Sequence, residues 1–346
     1  MKTKEILALV AIAVITFTFS FLYPNIASAE KPIELRLGHF WPASHYVQTE
    51  QVSGWVKEIE AATKGRLKIV VYPGQTLVKM KDTFDAILDG TVDIGISAFH
   101  QCYGRYPLLE VFELPTLVYS NATSASVVAW EGVKQIEELA VPDVKLVYLQ
   151  CTGPGMLGTM SEVRKMEDMK NIRVQGTGST ALVMRALGAV PVGLPAPDLY
   201  LALKKGTISA VTAPPEILEG FKLGEVTKYV TLFDGVYNKV HYVAMNRKKY
   251  ESLPKDIQEI FDQVNDTWSM KAGEIWTSNQ KSGLEFAKKH GAEIIRLSPE
   301  ENARWIKTLQ PIEDKFIADA EAKGLPGKDI VNKVKALTLK YNEMYK

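Results

Sequence analysis

Segments whose apolar residues alternate every second position are interleaved along this chain with segments whose apolar residues recur at helical spacing, and that order leaves few folds open. Ile33, Leu35 and Leu37 have the period-2 spacing of a strand, and Val52, Trp55, Val56 and Ile59 then fall at i, i+3, i+4 and i+7 on one helical face. Leu67, Ile69 and Val71 alternate again. Phe84, Ile87 and Leu88 mark a short helix, which Gly90 ends before a strand over 92–96. The β-α-β-α-β order predicts a mostly parallel sheet with helices on its faces.

A second, less regular round follows. A helix is expected over 122–139, a strand from Lys145, a strand at Ile172–Val174 and a helix over 179–187. Val190 to Leu194 reads as a strand, 197–204 as a helix with proline at its start, and Ile208 to Thr212 as another strand. After a strand over 239–245 the chain turns mainly helical, with one or two long helices over 254–289, a strand over 293–297 and helices to the end. The expected architecture is α/β with two lobes and a helical C-terminal part.

The first segment sets the compartment. Lys2 and Lys4 precede an apolar run from Ile6 to Leu22, and Ala27-Ser28-Ala29 closes it. That is the charged, apolar and small-residue layout of an export signal cleaved after Ala29. The run is short for a retained membrane anchor, and no later stretch has about 18 uninterrupted apolar residues. Of the 41 Lys+Arg and 40 Asp+Glu residues, cleavage removes Lys2, Lys4 and Glu5, which turns the net charge of +1 into zero. A neutral exported chain argues against nucleic-acid or polybasic membrane binding, both of which need a basic face. With two cysteines the chain is no disulfide scaffold, and the oxidising compartment permits a Cys102–Cys151 bridge without requiring one.

Few motifs carry chemistry. The five histidines have no metal-ligand spacing and there is no G-x-S-x-G elbow, so neither a metal site nor a hydrolase is expected, and no catalytic residue is assigned. Gly176-Thr177-Gly178-Ser179-Thr180-Ala181 matches G-x-G-x-x-A between a strand and a helix, the setting in which backbone amides approach a pyrophosphate. An exported oxidoreductase binding a dinucleotide there is the alternative reading. Against it, Asp198 starts a helix after Pro197 instead of ending a strand. Arg173 stands between Ile172 and Val174, where its planar guanidinium needs a partner such as a carboxylate. The loop His39-Phe40-Trp41-Pro42 follows the first strand, and Phe99-His100 the strand over 92–96. Both are at the carboxyl edge where open α/β sheets bind ligands.

Taken in order, several segments resemble the extracytoplasmic solute-binding subunits of TRAP transporters (DctP type). They are Ile33 to His39, Tyr72-Pro73-Gly74-Gln75, Asp89-Gly90-Thr91-Val92-Asp93, Phe112-Glu113-Leu114-Pro115, Met169 to Val174, Leu187 to Val192, Tyr200 to Gly206 and Leu253 to Gln258. The resemblance implies a periplasmic-binding-protein-like fold with mixed, mostly parallel sheets, a cleft between two lobes and long C-terminal helices. Lobe I is expected at 30–152 plus 239–276, and lobe II at 153–238 plus 277–346. It implies a monomeric protein without cofactor that captures a small organic acid and presents it to membrane permease subunits driven by an ion gradient. Arg173 occupies the position whose arginine grips the ligand carboxylate in the family. By the same likeness His39, Phe40, Trp41, Lys79, Ala98, Phe99, Met156, Ala196, Thr212, Ala213 and Tyr237 are expected around the ligand. Sialic-acid and dicarboxylate members commonly carry a further arginine near Gly155-Met156 and an asparagine where this chain has Ala213. Their absence implies a single carboxylate and a less polar, aromatic or branched body packed against Phe40, Trp41, Phe99 and Met156.

Overall fold

The computed structural model describes residues 31–102 and 104–346, so the expected export signal lies outside the described residues. In chain order the strands are β1 (Ile33–His39), β2 (Leu67–Tyr72), β3 (Ile94–Ala98), β4 (Val144–Cys151), β5 (Met156–Thr159) and β6 (Arg173–Gln175). Then come β7 (Val190–Val192), β8 (Ala210–Ala213), β9 (Tyr229–Leu232), β10 (Val240–Asn246) and β11 (Glu293–Arg296). They form two sheets, ordered β2-β1-β3-β10-β4 and β11-β9-β5-β8-β6-β7. The chain passes from the first sheet to the second between Cys151 and Met156, and back between Leu232 and Val240.

Both sheets are mixed. β1 pairs parallel with β3, but β10 runs antiparallel between β3 and β4. In the second sheet β6 is parallel to β7 and β8, while β5 is antiparallel to both β8 and β9. Period-2 spacing reports a strand, not its direction. β5 and β9 gave no signal at all in the sequence. Each has four residues, and β5 is buried on both faces, so nothing alternates.

The helices are α1 (Ser53–Ala62), entered through a π-helical turn at Val47–Val52, then α2 (Thr83–Asp89), α3 (Ala122–Gln135), α4 (Gly178–Ala186) and α5 (Leu199–Lys204). After them come α6 (Ile217–Gly220), α7 (Arg247–Glu251), α8 (Lys255–Lys289), α9 (Pro299–Glu321) and α10 (Gly327–Met344). The long stretch that was open to one or two helices is the single 35-residue α8. Ile257, Phe261, Trp268 and Trp276 make its buried stripe, at helical spacing. Two glycines let it approach other backbone closely. A Cβ at Gly273 would stand 2.6 Å from Thr123 Cα, and one at Gly283 would stand 2.1 Å from the Pro215 carbonyl oxygen. α8 therefore abuts α3, beside the first sheet, and the loop that follows β8 of the second.

The C-terminal helices divide between the two cores. Ile330, Val331, Val334 and Tyr341 of α10 share a core with Phe112, Val128 and Tyr242 beside the first sheet. Trp305 and Leu309 of α9 pack instead with Val174 and Met184 of the second sheet's side. The apolar stripe of α10 identifies a buried face, and only the turn after α9 decides which core that face meets.

Candidate functional site

Parallel strands end in loops on one edge of each sheet, and here those edges face each other across a cavity of about 80 Å³. From the first sheet come Phe40 and Trp41 after β1, and His100 and Gln101 after β3. The second sheet supplies Gln175 at the end of β6, Leu194 to Ala196 after β7, and Thr212 to Pro214 at the end of β8. Tyr237 and Lys239 come from the return crossing, His241 from β10 and Trp276 from α8.

One wall is aromatic. Phe40 stacks on Trp41 with ring centroids 3.8 Å apart, Trp41 lies 5.2 Å from His241, and His241 lies stacked 5.5 Å from Trp276. The Trp276 indole N–H donates to Gln51 Oε1 at 3.0 Å, which fixes the ring edge-on to Trp41. Such rings offer flat apolar faces with little freedom to rearrange.

Burial holds His39, His100 and His241 of this region below the ordinary imidazole range. Burial lowers the His241 pKa to about 3, helped by His100, and lowers that of His39 to about 4. Burial also holds His100 well below the usual imidazole range, with the Lys239 charge adding to the effect. Thr212 Oγ1 and His241 Nδ1 are buried without a hydrogen-bond partner among the described residues. No group of three or more His, Cys, Asp or Glu side chains among the described residues is arranged to hold a metal ion.

A buried ion pair borders the cavity at the crossing. Lys239 Nζ donates to Glu113 Oε2 at 2.6 Å and to Ser179 Oγ. Ser179 Oγ donates to the same carboxylate oxygen at 2.7 Å, and the amide of Val240 donates to Glu113 Oε1. Both charged side chains are about 5% exposed or less.

Of the twelve residues expected around a ligand, Phe40, Trp41, Ala196, Thr212, Ala213 and Tyr237 line this cavity. The other six do not. His39 is buried behind it on Gln48, and Ala98 is buried in β3 opposite His241. Phe99 faces a smaller neighbouring void and packs on Tyr242. Met156 belongs to the core with Leu199 and Val211, while Lys79 is exposed before the turn that carries the lining residue Met80. Arg173 is exposed at the start of β6, two residues before Gln175, and its guanidinium bonds the Gly206 carbonyl. Gln175, Glu216, Phe221, Lys239, His241 and Trp276 were missed. Only Gln175 had a signal, since it stands on the same strand face as Arg173.

The glycine loop has another use than the one its pattern suggests. Gly178 takes φ +52°, and Ser179 in the first turn of α4 is held by Glu113. An acidic side chain already holds the start of that helix. Cys102 and Cys151 are free thiols, and burial pushes both up, Cys102 to about 11.

The sequence profile of the bacterial extracellular solute-binding protein family 7, DctP, matches residues 37–319. The chain belongs to this family. Among solved structures, this binding protein is similar to a TRAP solute-binding protein from Rhodoferax ferrireducens T118 in complex with copurified benzoate. It is 27% identical, the match covers 91% of this chain and 100% of that one, and the TM-score is 0.85. A marine metagenome TRAP solute-binding protein specific for aromatic acid ligands, with 3-hydroxybenzoate, is 29% identical over 90% of this chain and 99% of that one, at a TM-score of 0.86. The C4-dicarboxylate-binding periplasmic protein DctP of Rhodobacter capsulatus is 24% identical over 91% of this chain and 95% of its own length. The family is periplasmic and consists of TRAP transport binding proteins, not enzymes, which sets the oxidoreductase reading aside.

Proposed function

We propose that this TRAP solute-binding protein captures an aromatic monocarboxylate in the periplasm and delivers it to a membrane permease driven by an ion gradient. The observation that carries the reading is the wall of Phe40, Trp41, His241 and Trp276, which offers ring faces and one imidazole of lowered pKa in place of a cluster of arginines. A cavity with a flat aromatic wall and placed polar groups selects by shape and by its ionic contacts. Similar structures holding benzoate and 3-hydroxybenzoate support the same ligand class.

Arg173 is the proposed carboxylate anchor. It shares a face of β6 with the lining residue Gln175, about 6.6 Å along the strand, and has no acidic partner among the described residues. To serve, its guanidinium must leave the Gly206 carbonyl and turn along the strand toward the cavity. Closure on the acid then buries a paired charge, whereas closure without ligand gains no such pair, so closing depends on ligand.

The test is native mass spectrometry of the purified protein, followed by thermal shift and calorimetry with benzoate, 3-hydroxybenzoate, mandelate, malonate and sialic acid. The aromatic acids should stabilise the protein, and Arg173→Ala should weaken them by about tenfold or more. Preference for malonate or sialic acid would overturn the ligand class, and unchanged affinity in Arg173→Ala would overturn the anchor.

A further inference from the structure

Among the residues lining the cavity, Lys239 is the one lysine or arginine. Its side chain is 5% exposed, and it sits at the crossing where the chain returns to the first sheet as β10. An ammonium group has three N–H donors. Glu113 Oε2 takes one and Ser179 Oγ takes another. The backbone of Lys239 is fixed as well, its amide donating to Thr152 Oγ1 and its carbonyl accepting from the Thr152 amide.

We propose that Lys239 contacts the carboxylate of the ligand from the crossing side of the cavity, through the ammonium donor that Glu113 and Ser179 leave unused. This rests on reading the cavity as an organic-acid site. A buried N–H without an acceptor is costly, and an anion beside it recovers that cost. Glu113 has two effects here. It holds the ammonium in one place, and its own negative charge offsets the attraction for a second anion, so the cavity accepts a single carboxylate and disfavours a dianion. Ser179 belongs to α4, on the second sheet's side, whereas Glu113 precedes α3 on the first sheet's side. The cation that meets the ligand is therefore held by both halves of the molecule at once. Lys239 and a repositioned Arg173 would approach different oxygens of the same carboxylate, which has room for both.

The experiment is calorimetry with benzoate and its uncharged isostere benzamide on the full mature chain. Three proteins are compared: the unchanged protein, Glu113→Gln, and the double variant Glu113→Gln with Lys239→Gln. The double variant keeps hydrogen-bonding side chains of similar size and leaves no buried charge unpaired, and apo thermal unfolding checks its fold. Glu113→Gln should raise the preference for benzoate over benzamide and improve malonate binding. The double variant should lower the benzoate preference by about tenfold or more relative to the unchanged protein. A purely structural role for the cluster would weaken both compounds together and leave their ratio alone. A double variant with the original ratio overturns this assignment while the aromatic-acid function stands. An unchanged protein that binds none of the aromatic acids overturns the function and this assignment with it.

Discussion

His45 Nε2 lies 3.3 Å from Glu216 Oε2, with both side chains shut off from solvent, and this contact joins the segment after β1 to the turn that begins α6. Glu216 also lines the cavity between the sheets. The two halves of the protein therefore meet at the edge of the cavity through a polar pair with little room around it. A Cβ on Gly220 would stand 2.3 Å from the same His45 nitrogen. Gly220→Ala should therefore hold the halves apart, weakening ligand binding while leaving far-ultraviolet circular dichroism unchanged. Unaltered affinity in calorimetry would show that His45 yields freely.

The uncharged histidines give stability a direction with pH. His39 and His241 have folded-state pKa values of about 4 and about 3, below the ordinary 6.5, so the unfolded chain binds protons that the folded chain refuses. Stability is then complete above about pH 6.5 and falls as pH drops toward 4. Each of these histidines contributes up to about 1.4 kcal/mol per pH unit in that window. The apo melting temperature should drop between pH 7 and pH 5, and His241→Gln should make the drop shallower. Equal melting temperatures at the two pH values would contradict the burial of these rings in uncharged form.

Trp276 joins the long helix to the aromatic wall of the cavity. Its ring is 1% exposed and its indole donates to Gln51. Trp276→Ala should cost about 3–5 kcal/mol of folding stability and shift preference from planar aromatic acids toward bulkier ones. Denaturant titration reads the first effect and a ligand panel the second; a loss below about 1 kcal/mol would mean that the wall relaxes around the gap.

Gly283 tests how the long helix holds both halves. Its missing side chain admits the Pro215 carbonyl, and a Cβ there would stand 2.1 Å from that oxygen. Because the obstacle is backbone, Gly283→Ala should destabilise despite the better helix propensity of alanine, whereas the same change at an exposed helical site would stabilise. A raised melting temperature would be inconsistent with the close approach.

The alternation of Ile33 to Leu37 with Val52 to Ile59, and of Leu67 to Val71 with Phe84 to Leu88, was enough to place β1, β2 and the helices around them, because one buried face leaves a periodic record. β5 and β9 left none. That Phe40 and Trp41 line the cavity was legible from their place after a strand at the sheet's carboxyl edge. Trp276, on a helix far along the chain, was not, since its apolar spacing is the same whether it faces core or ligand. Lys239 was equally silent. A lysine at a strand entrance is ordinary until the burial of Glu113 and Ser179 beside it is known.

The sequence alone determined the α/β class, the family through an ordered series of short segments, and the absence of a global positive charge that could attract an anion. The tertiary structure decided the strand directions, the placing of α10 with the first sheet's core, and which charges stand at the cavity. The difference has a physical cause. Periodicity and motif order are properties of neighbouring residues, whereas the cavity is made by side chains such as Trp41, Glu113, Lys239 and Trp276. These come from distant parts of the chain and acquire a role only once two sheets and a 35-residue helix have brought them together.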